Sequence, residues 1–189
     1  MVSCFHPVTP ELLEDLKKSG GGEICSLRRR YSGSVPNRRG RQSSFFKKPE
    51  VVVFPGSTEE VASIVKLANQ YLVPITPRAA GSGVACGAIP IYHGMVVELE
   101  RMNKILELNA NAMYAVVQTG VYCAQLQEEA KKHGLLYAAD PSSASSSQVG
   151  GNVANNAGGN KAVKYGTTRN QIYALKVVTP TGDIVDVGA

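Results

Sequence analysis

Several absences narrow what this chain of 189 residues can be. It has no apolar run of bilayer length, so no membrane span is expected. The N-terminus lacks the basic-then-apolar layout of a signal peptide, and the reading is a cytoplasmic protein. The four cysteines, Cys4, Cys25, Cys86 and Cys123, make no CxxC pair, and the three histidines, His6, His93 and His133, make no ligand pattern. Neither a zinc site nor a disulfide framework is supported, reduced thiols are the reading, and no metal is expected. No Gly-Lys-Ser or Gly-Lys-Thr closes a glycine loop, which removes the P-loop; no GxGxxG leads into a helix, which removes the Rossmann fingerprint. There is no internal repeat, and the serine run at 142–147 is the sole low-complexity segment. Apolar content of 43% is that of a soluble globular chain, long enough for one domain or two small lobes sharing a ligand.

Acidic residues are missing from one window. Between Arg28 and Lys48 lie eight basic residues and no Asp or Glu, so the net charge of +5 is local and the remainder is acidic on balance. Clustered Arg and Lys could neutralise phosphates. Yet aromatic interleaving is confined to Tyr31, Phe45 and Phe46, and no recognised nucleic-acid module is present, so no nucleic acid is expected. A solvated segment or a docking surface for an acidic partner is the preferred reading.

What is present reads in order. Thr9-Pro10-Glu11 has the form of a helix start, with Leu12, Leu13 and Leu16 as a short apolar face and Gly20–Gly22 as the stop. Val51–Phe54 is a buried strand, and Ser57-Thr58-Glu59-Glu60 a capping box for a helix bearing Val61, Ile64, Val65, Ala68 and Leu72. Pro74–Pro77 is a second strand, completing a parallel strand–helix–strand unit. Met95–Leu99, Ile105–Leu108 and Tyr114–Val117 read as strands and Cys123–His133 as a helix capped by Gly134. Asp140–Gly159 is too long for an ordinary connection and reads as functional. Tyr173–Thr179 and Asp183–Val187 make a hairpin about Pro180-Thr181-Gly182. The last strand leaves an edge unpaired, which hints at a piece of a longer protein.

Two stretches organise the rest: Pro77–Gly87, PRAAGSGVACG, and Gly150–Gly159, GGNVANNAGG. Small residues let backbone N–H groups approach a ligand, and glycine permits the positive φ that turns successive N–H groups to one side. Such a loop suits an anion, with Arg78 adding a fixed charge, and the reading is a pyrophosphate cradle closed by the second segment. Taken alone, the first loop is equally a set of turns and close packing.

In this order, with DPSS at 140–143 and KYG at 164–166, the motifs resemble the flavin domain of FAD-linked oxidases of the vanillyl-alcohol-oxidase (PCMH) type. Within it the resemblance is nearest to the group of glycolate oxidase FAD subunits and D-lactate dehydrogenases, over roughly residues 50–187. It implies an α+β fold of two lobes with FAD lying between them: a small strand–helix–strand lobe and a mixed or antiparallel sheet lobe. Residues 1–49 would be an N-terminal helix and basic segment, and 50–189 the FAD-binding domain. The resemblance implies that Pro77, Arg78, Ala79, Ala80, Gly81, Ser82 and Gly83 hold the FAD diphosphate. Pro141, Ser142, Ser146 and Ser147 would lie near the flavin ring. Gly150, Gly151, Asn152, Asn155 and Gly158 would line the ring and ribityl chain, and the Ile184 backbone would meet the adenine. Lys161, Lys164 and Tyr165 would be gate or surface residues.

The family usually has glycine where this chain has Ala79 and Cys86, and threonine where it has Ser82 and Gln148. Covalently flavinylated branches use a histidine in the first loop; none lies between Arg78 and Gly87, so non-covalent FAD is expected. The implied activity is oxidation of a 2-hydroxy acid by hydride transfer to FAD, with electrons passing to a separate acceptor or electron-transfer subunit. No catalytic residue is assigned, because the resemblance places the family's substrate-binding residues in a second domain that follows the flavin domain, and nothing in this sequence matches them. The alternatives are another enzyme on the same flavin domain, such as an enolpyruvyl reductase or an ether-lipid synthase, and a non-catalytic FAD-carrying interaction module.

Overall fold

The computed structural model describes residues 5–19, 23–26 and 48–188. Thr9 starts the first helix: its hydroxyl accepts from the Leu12 N–H at 3.3 Å, and α1 runs Pro10–Lys18. Leu12 and Leu16 are fully buried. The helix closes at Ser19, whose N–H donates to the Asp15 carbonyl, while the glycines expected to end it and the basic residues 28–47 lie outside the described residues.

The chain divides into two compact units. The first takes the described residues up to Arg78, then Val84–Leu99 and Leu175–Gly188. Its centre is a four-stranded sheet of order β1-β2-β4-β3: β1 Glu23–Ser26, β2 Val51–Phe54, β3 Ile75–Arg78 and β4 Met95–Glu98. The helix α2, Thr58–Gln70, connects β2 to β3. Both strands of the expected strand–helix–strand unit run parallel to β4, which lies between them. β1, falling in the stretch read as basic segment, pairs antiparallel on the outer side of β2.

Alternation along the strands sends Val51, Val53, Met95 and Val97 into a core with Leu12, Leu16, Ile64 and Val73, and Val52, Phe54 and Val96 into a second cluster. The capping box holds in one direction: Ser57 accepts from the Glu60 N–H at 3.2 Å. The return bond reaches one residue further back, with Glu60 accepting from Gly56 N–H at 2.7 Å. The two helices are joined by Tyr71, whose hydroxyl donates to Asp15 at 2.7 Å. From Leu175 on, the same unit also holds the expected hairpin of β7 Ala174–Val178 and β8 Ile184–Gly188. Gly182 takes its turn at φ 83°, and Asn69 donates to the Pro180 carbonyl at 2.7 Å.

The second unit takes Ala79–Gly83 and Glu100–Ala174. β5 Ile105–Asn109 and β6 Tyr114–Val117 pair with each other, with an irregularity between Ile105 and Glu107. α3, Cys123–Lys132, follows, and Gly134 has φ 72° beyond its end, as a helix stop requires. Val121, Leu126 and Val149 form the core, with Ile105, Val117, Tyr137 and Val153 packed against it. The segment Asp140–Gly159, read as too long for an ordinary connection, is itself organised, with a turn over Ser142–Ser146 and helix α4 Val149–Asn155; helix α5 Ala162–Tyr165 lies beyond it. A short 3-10 turn, Thr168–Gln171, follows.

A glycine loop against a glycine helix

The first turn of α4 is stitched to the chain before α3. Cys123 N–H donates to the Ser147 carbonyl, Val149 N–H to the Val121 carbonyl and Gly150 N–H to the Thr119 carbonyl, at 2.9, 2.8 and 2.8 Å. A Cβ on Gly150 would stand 2.7 Å from Thr119 Cβ, so only glycine permits this approach. The far end closes on Asn156 in the left-handed conformation at φ 48°, with its side chain accepting from Arg169 N–H at 2.9 Å. Thr168, fully buried, donates from both its amide and its hydroxyl to the Ala157 carbonyl. Each end of a helix with poor intrinsic propensity is thereby fixed by tertiary bonds.

Within this unit the loop Ala79–Gly83 meets α4. A Cβ on Gly151 would lie 3.2 Å from Ala79 Cβ, and one on Gly83 would lie 3.3 Å from Asn155 Nδ2. Gly81 has φ 66°, the positive φ expected of a loop that turns its amides. Asn155 also donates to the Gly151 carbonyl at 3.3 Å. The two glycine segments, remote in sequence, are therefore in contact.

Beside that contact lies an unusual set of side chains. Ser147 Oγ, Gln148 Oε1 and Asn152 Nδ2 are buried with no hydrogen-bond partner within the chain, as are Thr119 Oγ1 and Tyr137 OH. Native proteins leave few such atoms, because each costs its desolvation unless a ligand or water meets it. Cys123 is fully buried, donates to the Ala139 carbonyl at 3.4 Å, and burial pushes its thiol up, with Asp140 adding to the effect. Burial raises the Tyr137 phenol to about 12. Asp140 is ion-paired with Lys161 at 3.2 Å, and Gly159 crosses so near that a Cβ would overlap the Asp140 carbonyl. Lys164 lies over the Tyr165 ring, 4.9 Å from its centre.

Of the residues singled out from the sequence, Ala79, Ala80, Gly81, Ser82, Gly83, Pro141, Ser142, Ser146, Ser147, Gly150, Gly151, Asn152, Asn155 and Gly158 belong to this unit. Pro141, Ser147 and Asn152 are buried, while Ser142, Ser146, Asn155 and Gly158 are exposed. Pro77, Arg78 and Ile184 belong to the first unit. Arg78, read from the sequence as a fixed charge beside the loop, has its Nε 3.1 Å from Glu98 Oε2, with both side chains mostly buried. The sequence carried no signal for Thr119, Tyr137 or Glu98, which belong to no motif.

The sequence matches the FAD binding domain family over residues 49–188. The chain belongs to that family. FAD is accordingly its cofactor, and the fold is the α+β fold of the vanillyl-alcohol-oxidase type. The chain is 42% identical to a D-lactate dehydrogenase of Anaerostipes hadrus over 98% of its own length and 38% of that protein's. It is 37% identical to the glycolate oxidase subunit GlcD of Bacillus subtilis, over 74% of this chain and 30% of that one. A solved alkyldihydroxyacetonephosphate synthase superposes on 99% of the chain with a TM-score of 0.77 and 25% identity, and the chain covers 40% of it. The chain thus spans well under half the length of these proteins.

The residues fit the cofactor. Gly83 and Gly151 let the loop and α4 lie backbone to backbone where side chains would intrude, and buried Ser147, Gln148 and Asn152 keep polar atoms uncommitted. Asn152 offers a donor and Gln148 an acceptor, the mixture that the polar edge of a flavin ring requires.

Proposed function

We propose that this chain is the FAD-binding part of a flavin-dependent oxidoreductase acting on a 2-hydroxy acid of the glycolate or D-lactate kind. The observation that carries the reading is the contact of the loop at Ala79 and Gly83 with α4 at Gly151 and Asn155. It joins two backbone-rich surfaces suited to a long anionic nucleotide. The names of the relatives, a D-lactate dehydrogenase and a glycolate oxidase subunit, support the substrate class. When bound, FAD supplies the two-electron acceptor for oxidation of the hydroxyl carbon.

The chain's own part is to bind and orient. The amides of Ala79, Ala80, Gly81, Ser82 and Gly83 hold the diphosphate. Pro141, Ser142, Ser146 and Ser147 stand by the flavin ring, and Gly150, Gly151, Asn152, Asn155 and Gly158 line the ring and ribityl chain. The Ile184 backbone meets the adenine. Attachment is non-covalent, since no histidine lies in the loop. Residues 1–49 form an N-terminal segment and 50–189 the cofactor domain; hydroxy-acid binding and proton removal belong to residues outside this chain, and the electrons pass to a separate acceptor or electron-transfer subunit. Among the described residues no helix is long and apolar enough to cross a membrane.

The likeness to alkyldihydroxyacetonephosphate synthase supports a second reading, the FAD domain of an ether-lipid synthase. The higher identity to the D-lactate dehydrogenase favours the first. The test is a visible spectrum of the purified protein followed by titration with FAD. Flavin that is bound and then released on denaturation supports the reading; a colourless protein indifferent to FAD, also when extended at its C-terminus, overturns it. Turnover of D-lactate or glycolate by the extended protein separates the two enzymes.

A further inference from the structure

Arg78 ends β3, and the loop Ala79–Gly83 begins at the next residue. In the parallel pairing of β3 with β4, Arg78 stands directly opposite Glu98. Its Nε lies 3.1 Å from Glu98 Oε2, and its side chain is 16% exposed against 14% for Glu98. Its carbonyl accepts from the Leu99 N–H at 2.9 Å. Main chain and side chain are thus both tied to the end of β4.

A mostly buried guanidinium held this way has its charge offset within the sheet, and drawing it toward another anion would break a mostly buried ion pair. We infer that Arg78 is a positioning residue: its clamp on Glu98 fixes the start of the loop, and the diphosphate is met by loop amides and not by the Arg78 charge. The inference rests on the FAD reading for the identity of the ligand but not for the clamp itself.

The two roles for Arg78 give opposite signs for one substitution. If Arg78 faced the diphosphate, Glu98→Gln would free it from a competing carboxylate and tighten FAD. If Arg78 is a clamp, the same change loosens the loop and weakens FAD. The experiment is an FAD titration by flavin fluorescence on the full chain, with Glu98→Gln, Arg78→Lys and the exchanged pair Arg78→Glu/Glu98→Arg. The expected result is weakening of about tenfold in Glu98→Gln, with most of the affinity restored in the exchanged pair. Amide exchange without FAD supplies a second readout: Ala79–Gly83 exchange faster in Glu98→Gln while α2 keeps its protection. Tighter or unchanged FAD binding in Glu98→Gln overturns the inference, as does an exchanged pair that binds no better than the single variants. Should neither the parent nor its C-terminally extended form bind FAD, the cofactor reading fails by itself; faster loop exchange in Glu98→Gln would then still support the clamp, and unchanged exchange would sink it.

Discussion

Gly151 and Ala79 face each other so closely that a methyl on the glycine would stand 3.2 Å from that of the alanine. Gly151 lies inside α4, where glycine costs about 1 kcal/mol relative to alanine. The approach to Ala79 explains why the cost is borne. Gly151→Ala trades that propensity gain against crowding, so its stability should change by less than about 1 kcal/mol. FAD affinity should nevertheless fall about tenfold as the loop is pushed off α4. With Ala79→Gly in the background, Gly151→Ala should stabilise by about 1 kcal/mol and regain FAD. A double-mutant cycle on urea unfolding and FAD titration checks this; additivity of the two changes would disprove the contact's role.

Gly159 and Gly87 make a sharper pair. A Cβ on Gly159 overlaps the Asp140 carbonyl, backbone against backbone, whereas one on Gly87 meets nothing within 4 Å. Gly159→Ala should destabilise by about 3 kcal/mol or more, because two chain segments must part. Gly87→Ala should lie within about 0.5 kcal/mol of the parent. Thermal unfolding of both variants gives the comparison, and equal effects would mean that the crossing at Asp140 is not tight.

Thiol chemistry should single out one cysteine of the two whose surroundings are described. Cys86 is exposed, and Cys123 is fully buried with its thiol pushed up by burial and by Asp140. Iodoacetamide at neutral pH, read by peptide mapping, should label Cys86 at least about a hundredfold faster than Cys123 in the native protein. Denaturant should abolish the difference. Comparable native rates would show that the segment around α3 opens readily.

The glycine loop was legible because its residue types have one use in common, close backbone approach, whatever the ligand. The helix that meets it was not. GGNVANN has weak helical propensity, and α4 exists because Val149 is buried with Val121 and Leu126 and both helix ends are hydrogen-bonded to distant chain. Val51–Phe54 and Pro74–Pro77 were readable as parallel strands, but not the insertion of β4 between them, since strand order is decided by crossover and not by the order of apolar runs. The charge of Arg78 was visible, and its partner was not: Glu98 ends an otherwise apolar strand, and only the register of β3 on β4 brings the two together. Family resemblance supplied the cofactor; the bonds that shape its site needed the structure.

Tyr137 packs against the core of the second unit with its hydroxyl oxygen buried and without a hydrogen-bond partner. Burial, and to a lesser extent the neighbouring Cys123, pushes its phenol up to about 12. In the unfolded chain a tyrosine titrates near 10, at about its ordinary value. Below that pH the phenol is neutral in both states, and its contribution to stability is fully present. As pH rises from about 10 toward about 12, the unfolded state loses its proton first, so up to about 2–3 kcal/mol is lost. Tyr71 and Tyr114 are also raised, by hydrogen bonds to Asp15 and Glu107, so the parent's alkaline limb is a composite. The variant isolates one part of it. Tyr137→Phe removes an unpaired hydroxyl and no hydrogen bond, so stability at neutral pH should stay within about 1 kcal/mol of the parent. Above about pH 10 the variant should lose stability more slowly than the parent, and the two urea midpoints should diverge as pH rises. Parallel curves across that range would mean that the phenol is solvated in the native protein.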